Sequence, residues 1–128
     1  MKKLTPVLVV ERIEPCLRFW IERLGFQKTV EVPEEDRLGF VILTIGNIEV
    51  MYQSRASVAK DVPALATQSG PSSTILYIEV EKLDFVIQAL KGIDLVVPKR
   101  KTFYGATEIG VREPGGTVVV FAERDTGE

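Results

Sequence analysis

The chain spells out one structural pattern twice. Residues 2–53 read as strand, helix, strand, strand, strand, and residues 74–123 repeat that order about 70 residues further on. Each half opens on an apolar strand, Pro6-Val7-Leu8-Val9-Val10 and Ile75-Leu76-Tyr77-Ile78-Glu79-Val80. A short amphipathic helix follows in each. Each half closes on a β-branched strand, Ile48-Glu49-Val50-Met51 and Thr117-Val118-Val119-Val120-Phe121. A module this small rarely buries its sheet alone. Two copies side by side are expected to form one α+β domain, residues 1–128. In it, two βαβββ repeats make a curved eight-stranded mixed sheet, as two half-barrels around a cavity.

Composition narrows what such a cavity can do. The chain has 128 residues, 45% of them hydrophobic, which is enough for a core without disulfides or a structural metal. It contains no histidine, so the commonest metal ligand and proton-transfer group is missing, and no Ser-His-Asp set can be assembled. A net charge of −2 argues against a nucleic-acid partner. The run Lys99-Arg100-Lys101 reads as a solvated turn. The single Cys16 excludes an internal disulfide and fits a reducing, cytoplasmic setting. It lies on the first helical turn with no histidine to activate it, and reads as structural. No stretch approaches the roughly 20 apolar residues of a membrane span, so no membrane partner is expected.

The first strand runs over residues 5–10. Pro15 falls in the first turn of a helix whose stripe is Leu17, Trp20, Ile21 and Leu24, and Gly25 ends it as a left-handed cap would. Residues 26–32 read as the second strand and Pro33-Glu34-Glu35-Asp36 as an acidic turn. Residues 38–45 and 48–53 form a hairpin through Gly46-Asn47. Residues 54–73 are the linker between repeats, with a helical turn over 58–65. The second half reads as a strand at 74–80, then a helix with Leu83, Val86, Ile87 and Leu90 on one face, capped by Gly92. Strands follow at 95–97, 103–111 and 117–123, the last two joined by Glu113-Pro114-Gly115-Gly116.

Those pieces in that order resemble the vicinal oxygen chelate superfamily, which holds glyoxalases, bleomycin-resistance proteins and ring-cleaving dioxygenases. The resemblance rests on Phe19-Trp20 followed by Leu24-Gly25-Phe26, on Gly46-Asn47-Ile48-Glu49-Val50-Met51, on Tyr104-Gly105, and on the Glu113-Pro114-Gly115-Gly116 turn with its closing strand. It covers nearly the whole chain and implies a homodimer. In metal-using members, four strands give one ligand each. Matched by motif, those positions fall here on Thr5, Glu49, Ile75 and Val120. Two aliphatic side chains cannot donate to a cation that needs several oxygen or nitrogen ligands at about 2.0–2.6 Å. The expectation is therefore no metal and no cofactor.

Strand alternation then gives the face that the family positions share. It carries Phe40 or its neighbours on the third strand, Glu49 with Met51 and Gln53 on the fourth, and Tyr77 with Glu79 on the fifth. Glu49 sits inside an apolar strand, where a carboxylate could hold a cationic ligand or act as a base with a raised pKa. It could equally face solvent. Tyr77 and Tyr104 could stack on an aromatic ligand or serve in packing. The expected ligand-binding set is Glu49, Tyr77, Tyr104, Phe40, Met51 and Glu79. What the resemblance implies is a metal-independent binding protein of the bleomycin-resistance type, an antibiotic-resistance-like role, sequestering a small organic molecule that is aromatic or cationic. The alternative is a lyase, isomerase or dioxygenase that binds metal through an altered ligand set.

Overall fold

The computed structural model describes residues 1–65 and 74–125. The chain divides into two compact units, Met1–Gly70 and Pro71–Glu128. The first unit holds strand β1 (Val7–Val10) and helix α1 (Glu14–Leu17), which runs on as a π-helical stretch, Arg18–Arg23. Strands β2 (Gln27–Glu34), β3 (Arg37–Ile45) and β4 (Ile48–Ser54) follow, then helix α2 (Arg55–Asp61) and a 3-10 turn, Pro63–Leu65. Its sheet has the order β1-β4-β3-β2, with β1 parallel to β4 and the other pairs antiparallel.

Alternation along these strands separates two faces. Val41 and Leu43 of β3 and Val50 and Tyr52 of β4 are buried, as are Ile13, Cys16, Phe19 and Trp20 of the helical segment. The Trp20 indole reaches the Tyr52 hydroxyl, so the helix lies over this face. The Trp20 ring also meets Phe19 and Phe26 edge-on, at centroid distances of 5.1 and 4.9 Å. Burying an apolar side chain of this size stabilises the fold by about 1.5–3 kcal/mol. The opposite face carries Val7, Val9, Val30, Val32, Phe40, Ile42 and Met51. They line up through the pairs Val7↔Met51, Ile42↔Met51, Val30↔Ile42 and Val32↔Phe40. These residues are half-buried or exposed.

The second unit repeats the plan. Strand β5 (Ile75–Glu79), helix α3 (Leu83–Ala89) and strands β6 (Leu95–Lys101), β7 (Ala106–Arg112) and β8 (Val118–Arg124) give the sheet order β5-β8-β7-β6. Ile109, Val111, Val119 and Phe121 are buried on one face, together with Leu83 and Leu90 of the helix. The Leu83 amide donates to the Glu123 carboxylate at 2.7 Å, which ties the start of α3 to β8. The duplicated α+β plan expected from the sequence is present, as two four-stranded mixed sheets.

Several local expectations need correction. The acidic turn is shorter than expected: β2 continues through Pro33 and Glu34, and only Glu35-Asp36 turns, with Glu35 at φ 58°. The basic run Lys99-Arg100-Lys101 is strand, not a solvated turn. It continues β6 past a register shift between Val97 and Arg100, and Arg100 pairs with Glu108 of β7. Phe103 precedes β7 in a turn closed by Thr102, whose hydroxyl accepts from the Ala106 amide at 3.0 Å. The linker begins as helix, because the Ser54 hydroxyl caps α2 by accepting from the Ser57 amide at 3.1 Å. Residues 66–73 of the expected linker lie outside the described residues. The first helix buries Ile13, Cys16, Phe19 and Trp20 and leaves Leu17, Ile21 and Leu24 half-buried. Ile13, Cys16 and Trp20 keep ordinary helical spacing, so the buried stripe begins ahead of Leu17, at Ile13 and Cys16.

Candidate functional site

The open face of the first unit ends in a pocket of about 450 Å³. Val32 and Phe40, cross-strand partners, supply its apolar wall. Gln53, Ser57, Lys60, Asp61 and Glu34 supply its polar rim. Helix α2 brings Ser57, Lys60 and Asp61 to this end of the sheet because Ser54 turns the chain directly from β4 into the helix. Gln53 donates to the Ser57 hydroxyl at 3.1 Å, and Lys60 meets Glu34 at 2.5 Å, so the rim is held across β2, β4 and α2. Glu34 raises the Lys60 pKa through that hydrogen bond and its charge. Gly39 permits the close approach: a Cβ there would stand 2.7 Å from the Glu34 Cβ and 3.3 Å from that of Ser57. A smaller pocket of about 150 Å³ shares Glu34 and is lined by further acids, Glu11, Glu35 and Asp36.

Phe40 is thus at the pocket and Met51 on the same face, opposite Ile42. Glu49 lies at the far end of β4, four residues from Gln53, or roughly 13 Å along the strand. Its side chain is half-buried, and the carboxylate is held by the Lys3 ammonium at 2.9 Å and the Thr5 hydroxyl at 3.1 Å. The Lys3 hydrogen bond, then that from Thr5, keep its pKa below the usual glutamate value against the opposing effect of burial. The expected base with a raised pKa is therefore not what forms here. A neighbouring cation and a donor favour the charged form more than burial disfavours it.

The second unit brings Tyr77 and Tyr104 together around a residue that sequence reasoning missed. Glu108 of β7 is buried, and its two oxygens have different partners. Arg100 of β6 donates from Nε to Oε1 at 2.9 Å, and the Tyr104 hydroxyl donates to Oε2 at 3.0 Å. Tyr77 stands near Tyr104 and the Glu108 charge. Desolvation first, then Tyr104 and the Glu108 charge, push the Tyr77 phenol above its ordinary pKa, so it stays neutral. The signal for Glu108 was present in the alternation Ala106, Glu108, Gly110 of a buried strand. Reading the basic run as a turn hides the signal for Arg100. Glu79 stands apart from this cluster. It is a surface residue at the strand end, paired with Arg124 at 3.2 Å.

The four family metal positions can be tested against these contacts. Glu49 already holds Lys3, a cation, beside Thr5. In the second unit the register places Val118 opposite Ile75 and Val120 opposite Tyr77. The counterpart of Glu49 is therefore a valine on either alignment, and neither it nor Ile75 has a donor atom. These residues do not fit a divalent cation. Among the described residues, no group of three His, Cys, Asp or Glu side chains is placed to hold a metal. Nor, among them, is any helix long and apolar enough to cross a membrane.

No protein-family model and no curated protein matches the chain. Solved structures do. A glyoxalase/bleomycin resistance protein/dioxygenase from Nocardioides aligns over 100% of this chain and 87% of its own, with a TM-score of 0.73 at 17% identity. TioX from Micromonospora sp. ML1 aligns over 97% and 99%, at 0.76 and 16%. A lactoylglutathione lyase from Agrobacterium tumefaciens aligns over 96% and 94%, at 0.73 and 12%. The chain has the fold of the vicinal oxygen chelate superfamily, shared along its whole length at low sequence identity.

Proposed function

We propose that the protein binds a small organic molecule without a metal, at the open face of the first unit. The observation that carries this reading is the pocket of about 450 Å³ at the end of that face. Its volume lies within the range of ligand sites, and it combines an apolar wall with a few fixed polar groups. Burial against Val32 and Phe40 supplies affinity, and the rim supplies orientation. The rim is net acidic. Lys60 is committed to Glu34 and Asp61 adds a negative charge, while beside them Glu11 pairs with Arg55 and Glu35 and Asp36 outnumber Arg37. An aromatic face beside carboxylates suits a cationic head on an apolar body. The ligand would be sequestered and not transformed, since Glu49 is neutralised by Lys3 and stands away from the pocket. A homodimer, of the kind the sequence resemblance implies, would cover edge strands that otherwise stay open.

Native mass spectrometry of the freshly purified protein tests the reading in one measurement. The expected spectrum shows a dimer that carries an organic adduct and no stoichiometric metal. In a parallel titration, phenyltrimethylammonium is expected to raise Tm, and Phe40→Ala to abolish that rise. Stoichiometric metal, or a rise that Phe40→Ala leaves intact, would overturn it.

A further inference from the structure

We propose that Arg100, held by the buried Glu108 and flanked by Tyr77 and Tyr104, forms a second binding site, on the sheet of the second unit, for an organic carboxylate. It shares no residue with the first-unit pocket and does not depend on it.

One ion pair of the second unit is asymmetric. Arg100 and Glu108 are cross-strand partners on β6 and β7. The Glu108 side chain is 6% exposed, whereas that of Arg100 is 55% exposed. The carboxylate is thus fixed inside and the guanidinium projects outward. An ion pair with one partner more than half exposed adds little net stability, so stability alone gives weak reason for it. What the pair does achieve is orientation. Glu108 takes the Nε–H and Tyr104 holds the other carboxylate oxygen. A planar guanidinium fixed at Nε has its remaining N–H groups aimed in a set direction. Apart from Glu108 and Tyr104, no side chain engages Arg100 among the described residues. The outer fork matches the spacing of two carboxylate oxygens, and arginine binds such groups in bidentate fashion.

The tyrosines complete the site. The single Tyr104 hydroxyl proton is used on Glu108. Tyr77 stands near it, and its neutral hydroxyl can donate to or accept from an arriving group. Both rings are partly exposed, 45% for Tyr77 and 42% for Tyr104, so they offer an aromatic wall beside the cation. Because the Tyr77 phenol stays neutral, no phenolate repels an arriving anion. A planar aromatic acid meets each of these groups: its carboxylate faces the fork, and its ring lies against the tyrosines.

The test is an NMR titration of the Tyr77 and Tyr104 ring resonances in the full chain, with benzoate and with its neutral isostere benzamide. Benzoate is expected to shift both resonances saturably, and benzamide to bind at least about tenfold more weakly. Arg100→Lys keeps a cation opposite Glu108 but loses the fork, and should weaken benzoate about tenfold without changing benzamide. Phe40→Ala should leave benzoate binding unchanged, so this site and the first-unit pocket fail or survive separately. The proposal is overturned if benzoate does not saturate, if benzamide binds as tightly, or if Arg100→Lys binds benzoate as well as the parent. Should Arg100→Lys not fold, the benzoate and benzamide comparison on the parent chain decides alone.

Discussion

The Trp20 indole N–H donates to the Tyr52 hydroxyl at 2.9 Å, and both side chains are fully buried. This one bond joins the first helical segment to the central strand β4 across 32 positions of sequence. The helical segment it holds covers one face of the sheet and leaves the other open.

Removing the acceptor tests that role. Tyr52→Phe keeps the ring and leaves the indole N–H unsatisfied in the core. Such a group costs about 1–3 kcal/mol. Urea unfolding should show a lower midpoint with an unchanged slope, the signature of lost stability without a change in compactness. Unchanged midpoints would mean that the bond does not hold the helix.

Glu14 and Glu49 set an acid limit on stability. The Leu38 amide donates to Glu14 at 2.8 Å and, as the largest influence, lowers its pKa. Lys3 does the same for Glu49. A carboxylate with a depressed folded-state pKa stabilises the fold above its unfolded-state pKa, and that contribution disappears as pH falls through the folded value. Stability should therefore hold near neutral pH and decline from about pH 5 downward. Glu49→Gln and Glu14→Gln should each flatten that decline. Urea midpoints recorded against pH for the three proteins check this, and parallel curves would show that neither pair matters.

Gly39→Ala probes the pocket without touching a polar group. The new Cβ would stand 2.7 Å from the Glu34 Cβ, closer than real contacts allow, so β2 and α2 must move away from β3. The backbone there is ordinary, so the penalty is crowding and not strain. Overpacking of this kind costs about 1–3 kcal/mol. The expected result is a lower Tm together with loss of the phenyltrimethylammonium response. A loss of Tm with the response intact would place that ligand elsewhere.

The sequence revealed the larger plan because duplication and alternation are long-range patterns. Ile48-Glu49-Val50-Met51-Tyr52 alternates through β4 and assigns Glu49 and Met51 to the open face correctly. It could not show that Lys3 would fold back on Glu49, because ion pairing across 46 positions leaves no local trace. The Arg100–Glu108 pair was hidden by a different cause. A run of three basic residues carries weak strand propensity, and the cross-strand partner that keeps Arg100 in β6 becomes visible only once the register is known.

The turn that carried much of the family resemblance also makes a stability prediction. Glu113 is 2% exposed, and its carboxylate accepts from the Gly115 amide at 2.8 Å and the Thr117 amide at 2.6 Å. Its own backbone closes the loop, by donating to Thr117 and accepting from Gly116. The side chain thus substitutes for the ladder where β7 gives way to β8. Glu113→Ala strands two amides that had a charged acceptor, and should cost about 2–4 kcal/mol. Glu113→Gln keeps one acceptor oxygen and turns an NH2 toward the second amide, so its cost should be smaller but not zero, about 1–2 kcal/mol. Chemical unfolding of the two variants should rank alanine below glutamine below the parent. If both variants unfold with the parent, the backbone hydrogen bonds of the turn are sufficient and the buried carboxylate is dispensable.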